Sequence, residues 1–157
     1  MGREIRRVPP HWEHPKAMNS DQYHPLHDRH YPTEAARWIK DFLEFEEDKK
    51  NGAQSDYTYY WEYENHPEED YCVPYTKEQA TWYQVYETVS EGTPVTPPFE
   101  TQQELIDYLV NHGTFWDKRG FSREVAEKFV LETQWVPSGM FNSATGVFKS
   151  GIDCVNP

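Results

Sequence analysis

No stretch of the 157-residue chain holds the run of ~18 apolar residues that a membrane-spanning helix needs. The opening segment MGREIRRVPPHWEHP is charged and has no apolar centre, so it does not read as a secretory signal. Gly2 follows Met1, but Arg6 stands where myristoylation wants Ser or Thr. Cysteine is scarce: Cys72 and Cys154 form no CxxC pair and no disulfide framework, and they read as free thiols in a reducing compartment. With only 8 glycines there is no phosphate-cradling loop, and Ser90, Ser122, Ser138 and Ser143 have no GxSxG elbow. Carboxylates are too many to single out an acid/base pair, which is defined by separation in space. The acidic surroundings of Cys72 should raise its pKa and dull it as a nucleophile. Aliphatic residues are also sparse, with a mean hydropathy of -0.97.

Aromatic residues fill that gap at 16% of the chain, including 6 Trp, 11 Tyr and 8 Phe. Each buries a large area, and a disordered acidic chain would be poor in them. Length and composition therefore predict one folded domain over 1–157, and the order of the predicted elements, β-α-α-β-β, places it in the α+β class. It should be a small antiparallel sheet with helices packed on one face and an extended N-terminal arm.

Residues 1–32 form the expected arm. Pro9, Pro10, Pro15, Pro25 and Pro32 forbid a long helix, and Ile5, Val8, Trp12, Tyr23 and Leu26 are the candidate anchors. The arm also holds His11, His14, His24, His27, Asp28 and His30. The His24-x-x-His27-x-x-His30 run has ligand-type residues for zinc or nickel, but matches neither HExxH nor a zinc-finger spacing. Neither a metal nor any other cofactor is expected.

The spacing predicts a helix over 33–48, capped by Thr33, with Trp38, Ile39, Phe42 and Phe45 on one face. Residues 53–80 are aromatic and acidic without a clean period, compatible with short helical turns or a strand. Residues 81–90 read as a strand, closed by Glu91-Gly92. Thr101 and Glu104 form a capping box for a helix over 101–112, whose stripe is Leu105, Ile106, Leu109 and Val110, stopped by Gly113. Ser122 opens another helix, with Val125, Ala126, Phe129 and Val130 inward. Met140-Phe141 and Val147-Phe148 flank a five-residue loop, Asn142 to Gly146, as a hairpin expected to pair with strand 81–90.

Charge is uneven. The whole chain carries -12, and residues 34–91 hold fifteen acids against five basic residues. Such a surface repels nucleic acid but attracts a basic groove on another protein. The alternative is a solvated acidic face that only maintains solubility. The candidate contact residues are Glu44, Glu46, Glu47, Asp48, Glu62, Glu64, Glu68, Glu69 and Asp70, with Tyr59 and Tyr60 as aromatic anchors. In the run Tyr57 to Tyr63, Trp61 and two of the tyrosines are expected to be core.

Three stretches carry a family resemblance: Arg6-Arg7-Val8-Pro9-Pro10 leading to His11-Trp12-Glu13-His14-Pro15; Trp82 through Val110; and Trp135-Val136-Pro137-Ser138 with Lys149-Ser150-Gly151. Together they resemble small phage and prophage accessory proteins of unassigned function, with 34–80 as the variable part. The resemblance implies a protein acting in a host bacterial cytoplasm and supplies no catalytic residues. By analogy of class it implies an inhibitor of host defence, of anti-CRISPR or anti-restriction type, bound to a host nucleic-acid-binding protein. The competing expectations are a virion or assembly component that binds through the proline-rich arm, and a small metalloenzyme using the histidines.

Overall fold

The computed structural model describes residues 2–88 and 92–155. In chain order the elements are β1 (Gly2–Val8), β2 (His27–His30), α1 (Tyr31–Lys50), α2 (Tyr60–Tyr63), β3 (Cys72–Val73), β4 (Trp82–Glu87) and β5 (Thr93–Pro94). They continue with α3 (Gln102–His112), α4 (Arg123–Glu127), β6 (Trp135–Pro137), β7 (Gly139–Asn142) and β8 (Val147–Ser150). A 3-10 turn at Gly151–Val155 follows β8. The chain forms two compact units, residues 1–26 with 75–157 and residues 27–74.

The first unit is α+β: an antiparallel four-stranded sheet in the order β5-β4-β1-β6, with helices against it. Its centre is a correction to the sequence reading. The first residues are not an extended arm but strand β1, paired with β4 on one side (Ile5 opposite Val85) and with β6 on the other (Arg3 opposite Val136). The prolines begin only at Pro9, so nothing bars a strand before it.

Alternation divides β1 between two faces. Ile5 and Val85 point to the apolar core, where Leu105, Ile106 and Leu109 of α3 meet Ala126, Phe129, Val130, Val136 and Ile152. The α3 cap is formed as its sequence dictates: Thr101 Oγ1 accepts from the Glu104 amide, and the Glu104 carboxylate accepts from the Thr101 amide. Gly113 ends the helix at φ +70°, and a side chain there would strike the backbone oxygens of Asp117 and Arg119. Ser122 caps α4 as expected, but from Lys128 to Thr133 the helix widens to π geometry.

The opposite face of β1 and β4 is polar and buried. Arg6 is 5% exposed, pairs with Glu4 at 2.5 Å, donates to the Leu26 carbonyl at 2.6 Å and lies 4.5 Å from the Tyr86 ring centroid. Residues 9–26 cover this face. Trp12 Nε1 donates to the Tyr86 hydroxyl at 3.2 Å, and His14 bridges that hydroxyl (2.9 Å) and the His24 carbonyl (2.6 Å). The proline-rich segment is thus a lid on a buried network whose polar groups find partners.

The hairpin β7–β8 forms with Phe141 opposite Phe148, but it is a separate two-stranded sheet and does not pair with β4. The places beside β4 are taken by β1 and β5, which sequence spacing did not reveal. The predicted strand end at Val89 and Ser90, and its closing Glu91, lie outside the described residues.

Candidate interaction surface

The second unit, residues 27–74, is a long helix with its return segment laid back along it. Helix α1 begins at Tyr31, two residues before the expected cap. His30 precedes it without a capping side chain, and Thr33 Oγ1 instead lies 3.2 Å from His30 Nδ1. Trp38, Phe42 and Phe45 are half-buried, as their spacing predicts, and all three pack on the buried ring of Tyr60 at centroid distances of 5.3, 6.2 and 5.7 Å. Ile39 departs from that stripe: with Leu43 it stands exposed on the helix flank.

Contacts along α1 order the return. Lys49 donates to the Thr58 carbonyl near the helix end, Tyr60 meets the middle, and Trp38 Nε1 donates to the Glu64 carbonyl at 2.9 Å. His66 lies edge-on to Trp38 at 5.1 Å and to Tyr31 at 6.1 Å. Strand β3 then pairs in parallel with β2, His27 opposite Cys72. The segment 53–74 that lacked a period is therefore short turns and one short strand, held by aromatic contacts that local periodicity does not encode.

Two expected contact residues are engaged within the unit. Tyr60 is 4% exposed, and its hydroxyl donates to Glu64 Oε2 at 2.9 Å. Burial first, and then the bond to Glu64, pushes its pKa up to about 12. Glu64 is also bound by Arg37 at 2.7 Å, which holds its carboxyl below the usual range and raises the Arg37 guanidinium in turn. Tyr60 is thus a buried post, and Glu64, a third exposed, is the brace that ties it to Arg37. Glu62 has a local duty as well: its Oε2 accepts from the amides of Thr58 (2.9 Å) and Tyr59 (3.0 Å), fixing the entry to α2.

The remaining candidates lie outside. Glu44, Glu47 and Asp48 are exposed on α1, Glu46 is half-buried, and Glu68, Glu69 and Asp70 are exposed on the return. Of the basic residues, Arg37 binds Asp41 and Glu64, Arg29 reaches Glu34, and Lys40 reaches Glu44 at 3.7 Å. Glu47, Asp48, Glu68 and Glu69 form no ion pair among the described residues.

Trp61 was missed as a surface residue. The single turn of α2 turns Tyr60 inward and leaves Trp61 and Tyr63 51% and 64% exposed. Trp61 stacks on Tyr59 with centroids 4.6 Å apart and planes 6° from parallel, and Tyr57 packs beside Tyr63 at 5.5 Å. A turn beginning at Tyr60 is the only signal that could have separated these rings, and the surrounding aromatics obscure it.

The histidines do not gather. His14 serves the sheet network and His11 packs on Trp82, while no group of three or more His, Cys, Asp or Glu is placed to hold a metal among the described residues. Cys72 and Cys154 are buried free thiols with raised pKa, caused first by burial and second by Glu34 and Asp153 respectively. No described helix is long and apolar enough to cross a membrane. Comparison with protein-family models, curated proteins and solved structures finds no match to this chain.

Proposed function

We propose that the protein is a non-enzymatic, phage-encoded inhibitor acting in the host bacterial cytoplasm, of the anti-CRISPR or anti-restriction type. In this reading residues 27–74 occupy a basic, nucleic-acid-binding surface of a host defence protein, in place of nucleic acid. The observation that carries it is the charge of that unit: thirteen acids against five basic residues, with Arg29, Arg37, Lys40 and Lys49 engaged inside the unit and the carboxylates of Glu47, Asp48, Glu68 and Glu69 left outward. Glu47 and Asp48 stand near the end of α1, which at 20 residues is ~30 Å long, and Glu68 and Glu69 stand on the return just before β3. Fixed carboxylates at that spread can replace phosphates in a groove lined by Lys and Arg, and exposed aromatic side chains supply the desolvated contacts that charge alone does not.

The resemblance to phage accessory proteins supports the setting. The stretches that carry it lie in β1, β4 through α3, and β6 to β8, all in the first unit, so the acidic unit is the part free to match a particular partner. The alternative reading, a virion or assembly component, would bind another phage protein through the proline-rich segment 9–26, whose outer side is exposed at Pro10, Glu13 and Met18.

The test is displacement. A host protein captured on this chain should release its bound DNA or RNA as the chain is added, and the chain with Glu47, Asp48, Glu68 and Glu69 all changed to Lys should not compete. A partner that holds the chain and its nucleic acid together would overturn the proposal.

A further inference from the structure

We propose that the outward face of Trp61 is the seat of an arginine side chain from the partner's basic surface. This rests on the reading of residues 27–74 as the partner-binding unit. Tyr59 covers one face of the indole, and among the described residues no other ring stacks on Trp61, which keeps half its surface exposed. The stack holds its place without a partner: the Glu62 carboxylate accepts from the successive amides of Thr58 and Tyr59, and Tyr60 is packed against Trp38 and Phe45 of α1. A preorganised aromatic face needs no ordering on binding.

The class of occupant is indicated within the chain itself. The Lys49 ammonium stands 5.9 Å from the Tyr59 centroid and 5.8 Å from that of Phe45, and it donates to the Thr58 carbonyl. One side of this aromatic cluster already carries a cation, and the surrounding unit is strongly acidic, so a second cation is favoured on Trp61 over an apolar or anionic group. Guanidinium suits this face better than ammonium. It is planar, stacks flat on indole and is more weakly hydrated, while its edge remains free to reach a carboxylate.

The experiment titrates the full chain with oligoarginine and oligolysine peptides of equal length. The wild-type chain should bind oligoarginine about five-fold tighter, the order expected of one cation–π contact. Trp61→Ala should abolish that preference with oligolysine affinity unchanged, and Trp61→Phe should restore most of it. An arginine preference that survives Trp61→Ala, or equal weakening of both peptides, would overturn the Trp61 assignment. So would the absence of any preference. The four-carboxylate reversal separates the two claims. If it removes both peptides while Trp61→Ala changes neither, the acidic surface stands and the arginine seat falls. If it affects neither peptide, the acidic-surface reading falls too.

Discussion

His14 ties the lid of residues 9–26 to the sheet through a single imidazole. With Nε2–H donating to the His24 carbonyl, Nδ1 accepts from the Tyr86 hydroxyl, which in turn accepts from Trp12. Burial lowers the His14 pKa below its ordinary 6.5; the bond to His24 opposes this, and the nearby Arg6 and His24 charges add to it. In the unfolded chain His14 takes up a proton near pH 6.5, whereas the folded state resists it. The contribution is therefore complete above pH 6.5 and is lost as pH falls through the lower folded value. Denaturant midpoints measured from pH 8 downward should begin to fall below about 6.5, and His14→Gln should flatten that early decline. The residues whose carboxyls are held low by Arg partners, Glu64, Asp107 and Asp117, act in a separate and more acidic window, with stability lost only as pH drops below the ordinary carboxylate range. Tyr60 and Tyr59 make a second contrast. Tyr60→Ala removes a fully packed ring and should cost ~3–5 kcal/mol in urea unfolding, whereas Tyr59→Ala, half exposed, should cost about 1 kcal/mol or less.

Among elements, α3 and α1 show what a sequence reveals and what it withholds. For α3, cap, stripe and stop are all local: Thr101 and Glu104 bond each other's backbone, Leu105, Ile106 and Leu109 are fully buried, and Gly113 takes the positive φ. Leu109→Ala should cost ~2–5 kcal/mol by chemical denaturation, because its neighbours cannot close the cavity. On α1, Leu43→Ala should fall within about 0.5 kcal/mol of wild type, since Leu43 is 59% exposed. The helix was legible from Trp38, Phe42 and Phe45, but Ile39 was not separable from them, because the facing layer is one narrow segment built on Tyr60. Strand β1 was hidden by composition: Arg3, Glu4, Arg6 and Arg7 suggest an exposed arm. Only the fold shows that Arg6 is neutralised by Glu4 and covered by the lid. The same limit applied at the candidate surface. Acidic character was visible in the sequence, whereas the division of carboxylates between internal braces (Glu62, Glu64) and outward charges (Glu47, Glu68) depends on where Arg37 and the α2 amides fall.

For the whole molecule, the division of labour follows the two units. The first carries the apolar core and the buried network, and the second concentrates unbalanced negative charge with exposed aromatics. If that charge guides binding, it must act before contact, through a field that salt screens over about 10 Å at ordinary ionic strength. The most direct measurement is the association rate with a captured host partner as a function of salt, for the wild-type chain and for the chain with Glu47, Asp48, Glu68 and Glu69 changed to Lys. The proposed mimicry predicts a wild-type rate that falls steeply with added salt, and a variant that associates slowly at low salt with little salt dependence. Its circular dichroism and urea midpoint should stay close to wild type. Association that is insensitive to salt and unchanged by the four-charge reversal would contradict the account.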